Sequence, residues 1–193
     1  MKLTLRIGAL LLVVAVAGCG GSSSSGNQAA NPAAPENSPP GDIPDNQAYV
    51  AYSPPRAGYT VKVPEGWAQT SAGGAVSFTD KLNTVRLEAA SVQALPSLAT
   101  VKRTIVPQIA RSETGYQAGK VSTVKRHAGA AVRITYFAQG KPDPVTGKVR
   151  VNAVERYLFV HNGREAVLTL SGPKGADNVD PWRIITDSLR WTG

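Results

Sequence analysis

The chain has 193 residues, of which 42% are hydrophobic and 18% are charged. This ordinary globular composition predicts one domain with a core of its own and excludes a chain that is disordered throughout. The single cysteine excludes an intramolecular disulfide and a zinc site built on cysteines. The formal net charge of +8 indicates either acidic partners or a surface that is simply basic and soluble.

The N-terminus carries the pattern of an export signal. Lys2 and Arg6 supply positive charge ahead of an apolar stretch over 7–17. That stretch is too short to span a hydrocarbon core, which needs about 20 residues, and it matches the apolar region of a secretory signal peptide. Export makes nucleic acid an unsuitable partner for a basic chain, whereas anionic lipid headgroups or cell-wall polymers suit it better.

A lipid-attachment site is predicted at the end of this signal. Val16, Ala17 and Gly18 stand directly before Cys19 and resemble the lipobox, in which small residues are recognised by the signal peptidase of bacterial lipoproteins. The resemblance implies a diacylglyceryl group on the Cys19 thiol and cleavage before it, so that residues 1–18 are removed. We therefore expect a lipid-anchored protein on the extracytoplasmic face of the cell membrane.

A tether is predicted to follow the anchor. Gly, Ser, Pro, Asn and Ala dominate from residue 20 to 48, and aliphatic residues are nearly absent. Such a segment cannot bury enough apolar surface to offset the entropy lost on ordering. The sequence thus predicts a disordered tether over 19–48 and a folded domain over 49–193.

The first part of the predicted domain has the period of β-strands. Tyr59, Val61 and Val63 alternate with polar residues, and shorter alternating patterns follow at 76–78 and 85–89. The links between them are short, which favours antiparallel pairing.

A helix is predicted next, capped by Ser97. Its apolar stripe favours packing on a sheet over docking on a membrane, while Pro107 predicts a kink or two shorter helices. The stripe consists of Leu98, Val101, Ile105 and Ile109.

Strands resume after Gly119, with patterns at 132–136, 149–161 and 166–170 separated by a Pro- and Gly-rich loop over 139–148. Asn162-Gly163 predicts a two-residue hairpin turn, because both residues tolerate positive φ.

A last helix is predicted to open at Asp180-Pro181, with Trp182, Ile185 and Leu189 on its apolar face. Strands followed by helices indicate an α+β fold, in which helices cover an antiparallel sheet.

Residue types with catalytic potential are few and scattered. His127 and His161 are the two histidines, and neither has the spacing of a metal-binding pair. Glu88 and Glu155 lie on predicted strands, where carboxylates are most often solvated. Phosphate-loop and nucleophile-elbow motifs are absent from the sequence. The sequence therefore predicts a protein that is not an enzyme and has no metal or cofactor.

The tryptophans leave two possibilities open. Trp67 and Trp182 could line an apolar ligand cleft between sheet and helix, although packing in the core is favoured for both. Trp191, just past the last helix, is the aromatic residue least expected to be buried.

Two stretches resemble a known fold family. Residues 58–67, GYTVKVPEGW, resemble the strand-Pro-x-x-Trp opening of PsbP-like and Mog-like domains, and 168–172 with the helix through 188–191 resemble their closing strand and helix. Together with the lipobox, the chain is similar to the LpqN-type lipoproteins of actinobacteria. The resemblance covers roughly 49–193 and implies an α-β-α sandwich without catalytic residues.

The resulting expectation is a non-catalytic binding or accessory module of the cell envelope, whose ligand is another envelope protein or an apolar envelope lipid. The alternatives are a purely structural protein-interaction domain and, less favoured, an envelope hydrolase. An apolar cleft would favour lipid, a flat surface would favour protein contact, and an inward cluster of Glu or His would favour hydrolysis.

Overall fold

The computed structural model describes residues 40–192. The predicted signal peptide, Cys19 and most of the predicted tether lie outside these residues. Within residues 40–192, no helix is long and apolar enough to cross a membrane. The strands are β1 (Tyr49–Tyr52), β2 (Tyr59–Pro64), β3 (Ala68–Ala72), β4 (Ala75–Asp80), β5 (Asn83–Ser91), β6 (Gln117–Arg126), β7 (Gly129–Gln139), β8 (Val151–His161), β9 (Arg164–Pro173) and β10 (Arg190–Trp191).

Two helices accompany the strands. The first, α1, consists of an α-helical turn (Leu98–Thr100), a π-helical stretch (Val101–Ile105) and a second α-helical part (Val106–Ser112); the second helix, α2, is Val179–Asp187. The wider π-helical stretch ends at Ile105, two residues before Pro107. Pro107 has no N–H to donate, and in a regular α-helix its ring would clash with the carbonyl of Arg103, four residues earlier. The kink predicted at Pro107 therefore takes the form of a π-helical segment.

The strands form two antiparallel sheets. The larger has seven strands in the order β3-β4-β5-β9-β8-β7-β6, and the smaller has three in the order β1-β2-β10. Asn162 and Gly163 adopt φ values of 47° and 75° and join β8 to β9, so the predicted hairpin turn is confirmed. The pairing predicted for the strands at 76–78 and 85–89 is also confirmed, since Phe78 lies opposite Val85.

The main core lies between the two sheets, on what we call the inner face of the large sheet. Val61 and Val63 of β2 and Ile185 of α2 pack there against the large sheet, where Leu168 and Leu170 are fully buried. The opposite, outer face of the large sheet carries α1. Its buried residues Val101 and Ile109 pack on a second apolar cluster from β7, β8 and β9.

The architecture is richer in sheet than the predicted helix-covered sandwich. The strand at 59–63 was expected to pair with its neighbours in sequence, but β2 pairs with β1 and β10 and joins a separate sheet. No alternating pattern in the sequence predicted β1 or β3. All five residues of β3 are exposed, so no burial period marks this edge strand.

The predicted boundary between the tether and the domain lies several residues too far along the chain. Residues 40–48 were assigned to the tether, yet Ile43 is buried in the main core. Its backbone N–H donates to the Asn178 side chain at 2.8 Å, and the Gly41 carbonyl accepts from Asn83 at 2.9 Å. The buried Ile43 side chain and these hydrogen bonds together hold this short stretch against the domain.

The last helix starts earlier than predicted. Asn178, not Asp180, occupies the N-cap position, and Pro181 follows inside the first turn. The helix ends at Asp187, so Leu189 lies beyond it, although it is fully buried as its apolar pattern predicted.

Candidate functional site

A cleft with a volume of about 480 Å³ opens on the outer face of the large sheet. It lies between the β3–β4–β5 end of the sheet and the loop that joins β7 to β8. We call it the cationic cleft. Its basic residues are Lys81, Lys141, Lys148 and Arg150, its hydroxyl residues are Thr70, Ser77, Thr79 and Thr84, and Asp143 and Asn152 are among the other lining residues.

The floor of the cleft consists of hydroxyl groups held in strand register. Thr70 pairs with Ser77 across β3 and β4, and Thr79 pairs with Thr84 across β4 and β5. Because successive side chains of a strand point to opposite faces, these four residues share the outer face while Phe78 points into the core. Threonine suits a strand for its branched Cβ, and its hydroxyl can both donate and accept.

The wall of the cleft is the loop over 140–150, which folds back on itself. The N–H of Gly140 donates to the Arg150 carbonyl at 2.8 Å, and the N–H of Asp143 donates to the Lys148 carbonyl at 2.9 Å. Gly147 has a φ of 67°, a conformation that glycine adopts without steric cost. The loop predicted from its prolines and glycines is therefore an ordered turn that presents basic side chains.

Asp143 is the acidic residue in the lining, and its carboxylate is engaged by its own turn. One oxygen, Oδ1, accepts from the N–H of Thr146 at 2.7 Å, from its hydroxyl at 2.9 Å and from the N–H of Val145 at 3.1 Å. The hydrogen bonds from Thr146, and then that from Val145, lower the pKa of Asp143. This carboxylate therefore fixes the loop and forms no ion pair with the four basic residues.

The basic residues of the cleft differ in their ion pairing from the arginines beside it. Arg86 and Arg156, further along the outer face, are held by Glu88 at 3.1 Å and 3.3 Å. Within residues 40–192, Lys81, Lys141, Lys148 and Arg150 form no ion pair. Four cations share this lining with one carboxylate, Asp143, which is already engaged by its own turn. The excess of positive charge favours an anion, which lysine and arginine bind with charge-assisted hydrogen bonds.

A second polar cluster lies on the inner face beside α2, around a small cavity of about 270 Å³. Arg126 donates to the Thr186 hydroxyl at 2.9 Å and to the Tyr157 hydroxyl at 3.2 Å. Tyr157 in turn donates to Glu155, which also pairs with Arg133 at 3.4 Å. Burial, and then the neighbouring Glu155, raise the pKa of Tyr157. The network links α2 to the large sheet and uses most of its own donors and acceptors.

A third depression lies at the edge of α1 and β6, where Val106, Tyr116, Val121 and Ile134 contribute apolar surface and Lys102, Lys120 and Ser122 contribute polar groups. It is open to solvent on the outer face, so it lacks the enclosed apolar character that would favour a lipid chain.

The residues singled out in the sequence are dispersed over the domain. His161 is exposed and stacks on Trp191 at 5.6 Å, while His127 is exposed in the turn between β6 and β7. Glu88 and Glu155 were expected to be solvated, but both are half-buried and paired with arginines. Within residues 40–192, no three His, Cys, Asp or Glu side chains lie close enough to hold a metal ion.

Trp182 is buried in the main core, as favoured, whereas Trp67 is half-buried and packs against that core. Trp191 is half-buried and packs edge-on against Tyr59. Cys19 and its flanking Val16, Ala17 and Gly18 lie outside the described residues, so lipidation stays a prediction.

The cationic cleft was missed in the sequence. A signal for it existed in the loop, where Lys141, Lys148 and Arg150 stand against one acidic residue, Asp143. Charge patterning of this kind marks candidate anion-binding loops. The contribution of Lys81 and of the hydroxyl floor depends on strand register and has no local signal.

Comparisons with known proteins support the fold. No protein-family model and no curated protein matches the chain. Among solved structures, it is similar to cyanobacterial PsbP from Synechocystis sp. PCC 6803, with 14% identity, a TM-score of 0.52 and coverage of 75% of this chain and 93% of that one. It is likewise similar to the Ran-binding protein Mog1p of Saccharomyces cerevisiae, with 10% identity, a TM-score of 0.50 and coverage of 75% and 96%.

Weaker likenesses were found as well. LpqN, involved in cell envelope biogenesis of Mycobacterium tuberculosis, has 14% identity, a TM-score of 0.46 and coverage of 77% of this chain and 93% of that one. The chain spans 46% of a Bacteroides thetaiotaomicron protein with a TM-score of 0.47. Neither likeness is close enough to assign a family. The likeness to PsbP and Mog1p supports the fold resemblance seen in residues 58–67, and the described domain has a PsbP/Mog-like fold.

Proposed function

We propose that this chain is a non-catalytic accessory module of the cell envelope, held by lipid on Cys19, which binds an acidic envelope component in the cationic cleft. The observation that carries the proposal is the set of four basic side chains that share a cleft with a hydroxyl floor and, within residues 40–192, form no ion pair. Such a lining suits a ligand with phosphate or carboxylate groups and hydroxyls.

An acidic ligand fits this chemistry better than the apolar lipid that the sequence left open. An apolar ligand would leave the lysines and hydroxyls of the cleft without hydrogen-bond partners, and buried polar groups without partners are costly. A protein partner remains compatible if it presents acidic side chains to the cleft. Hydrolysis is the least supported alternative, because Glu88 and Glu155 are already engaged by arginines.

A matched pair of small probes tests the chemistry of the cleft. Glycerol 3-phosphate and glycerol differ by one phosphate group, so we expect glycerol 3-phosphate alone to change the amide chemical shifts of residues 140–150 and 79–84. Lys148→Ala should weaken this binding, whereas Lys125→Ala, at the far end of β6, should leave it unchanged. Equal responses to both probes, or responses confined to other parts of the domain, would contradict an anion-binding cleft.

Native mass spectrometry of the processed protein, extracted from its own membrane, tests the wider proposal. We expect a retained acidic lipid, glycan or protein that is lost in the Lys148→Ala variant. Retention of a purely apolar molecule by both proteins would instead support the lipid alternative.

A further inference from the structure

The chain enters the folded domain at the end of the large sheet that carries the cationic cleft. The Gly41 carbonyl accepts from the side chain of Asn83 at 2.9 Å. Asn83 is the first residue of β5 and is flanked by Leu82 and Thr84, which both line the cleft. Asn83 itself points to the inner face and Thr84 to the outer face, so the incoming chain and the cleft lie on opposite faces of one strand end.

Other contacts place the incoming chain at the same end of the sheet. Gly41 packs against the ring of Pro173, the last residue of β9. Pro173 is opposite Asn152, which lines the cleft. The Asn162–Gly163 turn, by contrast, lies at the other end of β8 and β9. With strands of eleven residues, the two ends of this sheet are about 35 Å apart.

The length of chain ahead of the domain limits how far the cleft can be from the anchor. Twenty residues, 20–39, join Cys19 to Pro40, and a chain of that length spans at most about 70 Å. If Cys19 carries lipid, this length allows the cleft-bearing end, where the chain enters the domain, to lie against the membrane surface.

The loop that walls the cleft has the composition of a membrane-contacting loop. Lys141, Lys148 and Arg150 provide positive charge, and Val145 at the tip of the loop is 91% exposed. Val149 and Val151 are also exposed. Basic side chains around an exposed aliphatic tip match an interface at which phosphate groups meet acyl chains.

We infer that the cationic cleft and its loop dock on the phosphate groups of anionic phospholipids in the membrane that holds the protein. This inference rests on the proposed function, since it names the source of the acidic ligand. The lipid on Cys19 holds the domain near the membrane, and the cleft sets its orientation. The loop over 140–150 then lies against the headgroups, and the turn between β8 and β9 points away from the membrane.

Vesicle binding tests the inference. The processed chain with Cys19→Ser carries no lipid, so its binding reports the folded domain and the preceding segment alone. We expect co-sedimentation with vesicles of phosphatidylcholine that contain phosphatidylglycerol and none with pure phosphatidylcholine. Lys141→Ala/Lys148→Ala should reduce the partition constant about 30-fold, because each basic residue near an anionic surface contributes roughly fivefold.

Lys102→Ala/Lys125→Ala is the matched control, because it removes the same charge at two exposed sites away from the cleft. It should reduce binding less than about threefold, since exposed charges beyond a Debye length of about 10 Å are largely screened. An equal loss in both double variants would overturn the inference and indicate attraction by net charge alone. Absence of vesicle binding would also overturn it. If glycerol 3-phosphate nevertheless changed the amide chemical shifts of the cleft, the proposed function would stand and only the membrane inference would fail. If it did not, both the proposed function and the membrane inference would fail.

Discussion

The backbone N–H of Ile43 donates to the side-chain carbonyl of Asn178 at 2.8 Å, across 135 residues of chain. Asn178 also donates through its amide group to Gly41 and to Asn83, each at 3.0 Å. This one asparagine occupies the N-cap position of α2, and its side chain holds the start of the domain and the first residue of β5, the strand that lines the cationic cleft. Both Asn178 and Asn83 are buried, so their hydrogen bonds are made without competition from water.

Removal of the Asn178 side chain should destabilise the domain. Asn178→Ala leaves the Ile43 N–H without its acceptor, and it removes one hydrogen bond each from the Gly41 carbonyl and the Asn83 side-chain oxygen. A buried polar group left without a partner costs about 1–3 kcal/mol. We expect the free energy of unfolding to fall by about 2–4 kcal/mol in chemical denaturation, given these partners. Asn46→Ala, at an exposed position of the same segment, should change it by less than about 0.5 kcal/mol. Equal effects of the two changes would contradict this role.

The boundary of the protease-resistant domain should lie near residue 40. Residues 41–43 are bonded to Asn83 and Asn178, and a segment held in this way resists cleavage. Limited proteolysis followed by mass spectrometry should therefore give a fragment that begins close to Pro40. In Asn178→Ala the fragment should begin nearer Tyr49. A first stable fragment that begins at Tyr49 in the wild-type protein would show that the 40–48 stretch is not held in solution.

Local patterns identified much of the fold, and long-range partners account for what was missed. The alternation of Tyr59, Val61 and Val63 predicted a strand, and Asn162-Gly163 predicted a turn, because both depend on neighbouring residues only. The sheet to which β2 belongs depends on β10, some 130 positions away, and no local period encodes it. Ile43 is a lone aliphatic residue in a polar stretch, so composition assigned it to the tether.

The same distinction applies to the candidate site. Lys141, Lys148 and Arg150 lie within one loop and could have been noted as a basic cluster. The hydroxyl floor exists because the register sets Thr70 beside Ser77 and Thr79 beside Thr84. That register follows from burial of the alternate residues, which only the packed sheets reveal.

Two adjacent isoleucines provide a test of how α2 packs. Ile185 is fully buried between the sheets, whereas Ile184 is 46% exposed on the same helix. Ile185→Ala should lower the free energy of unfolding by about 2–5 kcal/mol through lost burial and the cavity left behind. Ile184→Ala, the matched control, should lower it by less than about 1 kcal/mol. Chemical denaturation of both variants measures the difference, and similar losses would mean that α2 is rotated relative to the structure described.

The anchor can be tested independently of the folded domain. Cys19→Ala removes the thiol that the lipobox resemblance identifies as the lipid attachment site, so we expect the variant to lose its lipid and its membrane association. Metabolic labelling with a fatty acid, followed by membrane fractionation, measures both. Incorporation of label into the Ala variant would show that lipid, if present, is attached elsewhere. A variant of a residue in the domain, Lys125→Ala, should be labelled normally.

The order of the cleft loop should depend on the ionisation of Asp143. Its carboxylate accepts from Thr146 and Val145, and these bonds lower its pKa below the ordinary value of 3.8. Because the pKa is lowered in the folded state, the stabilisation is present above pH 3.8 and is lost as the pH falls through the lowered value. The amide chemical shift of Thr146 should therefore titrate with a midpoint below 3.8, and Asp143→Asn should abolish this step because no carboxylate remains. A midpoint at or above 3.8 would mean that the turn does not favour the carboxylate.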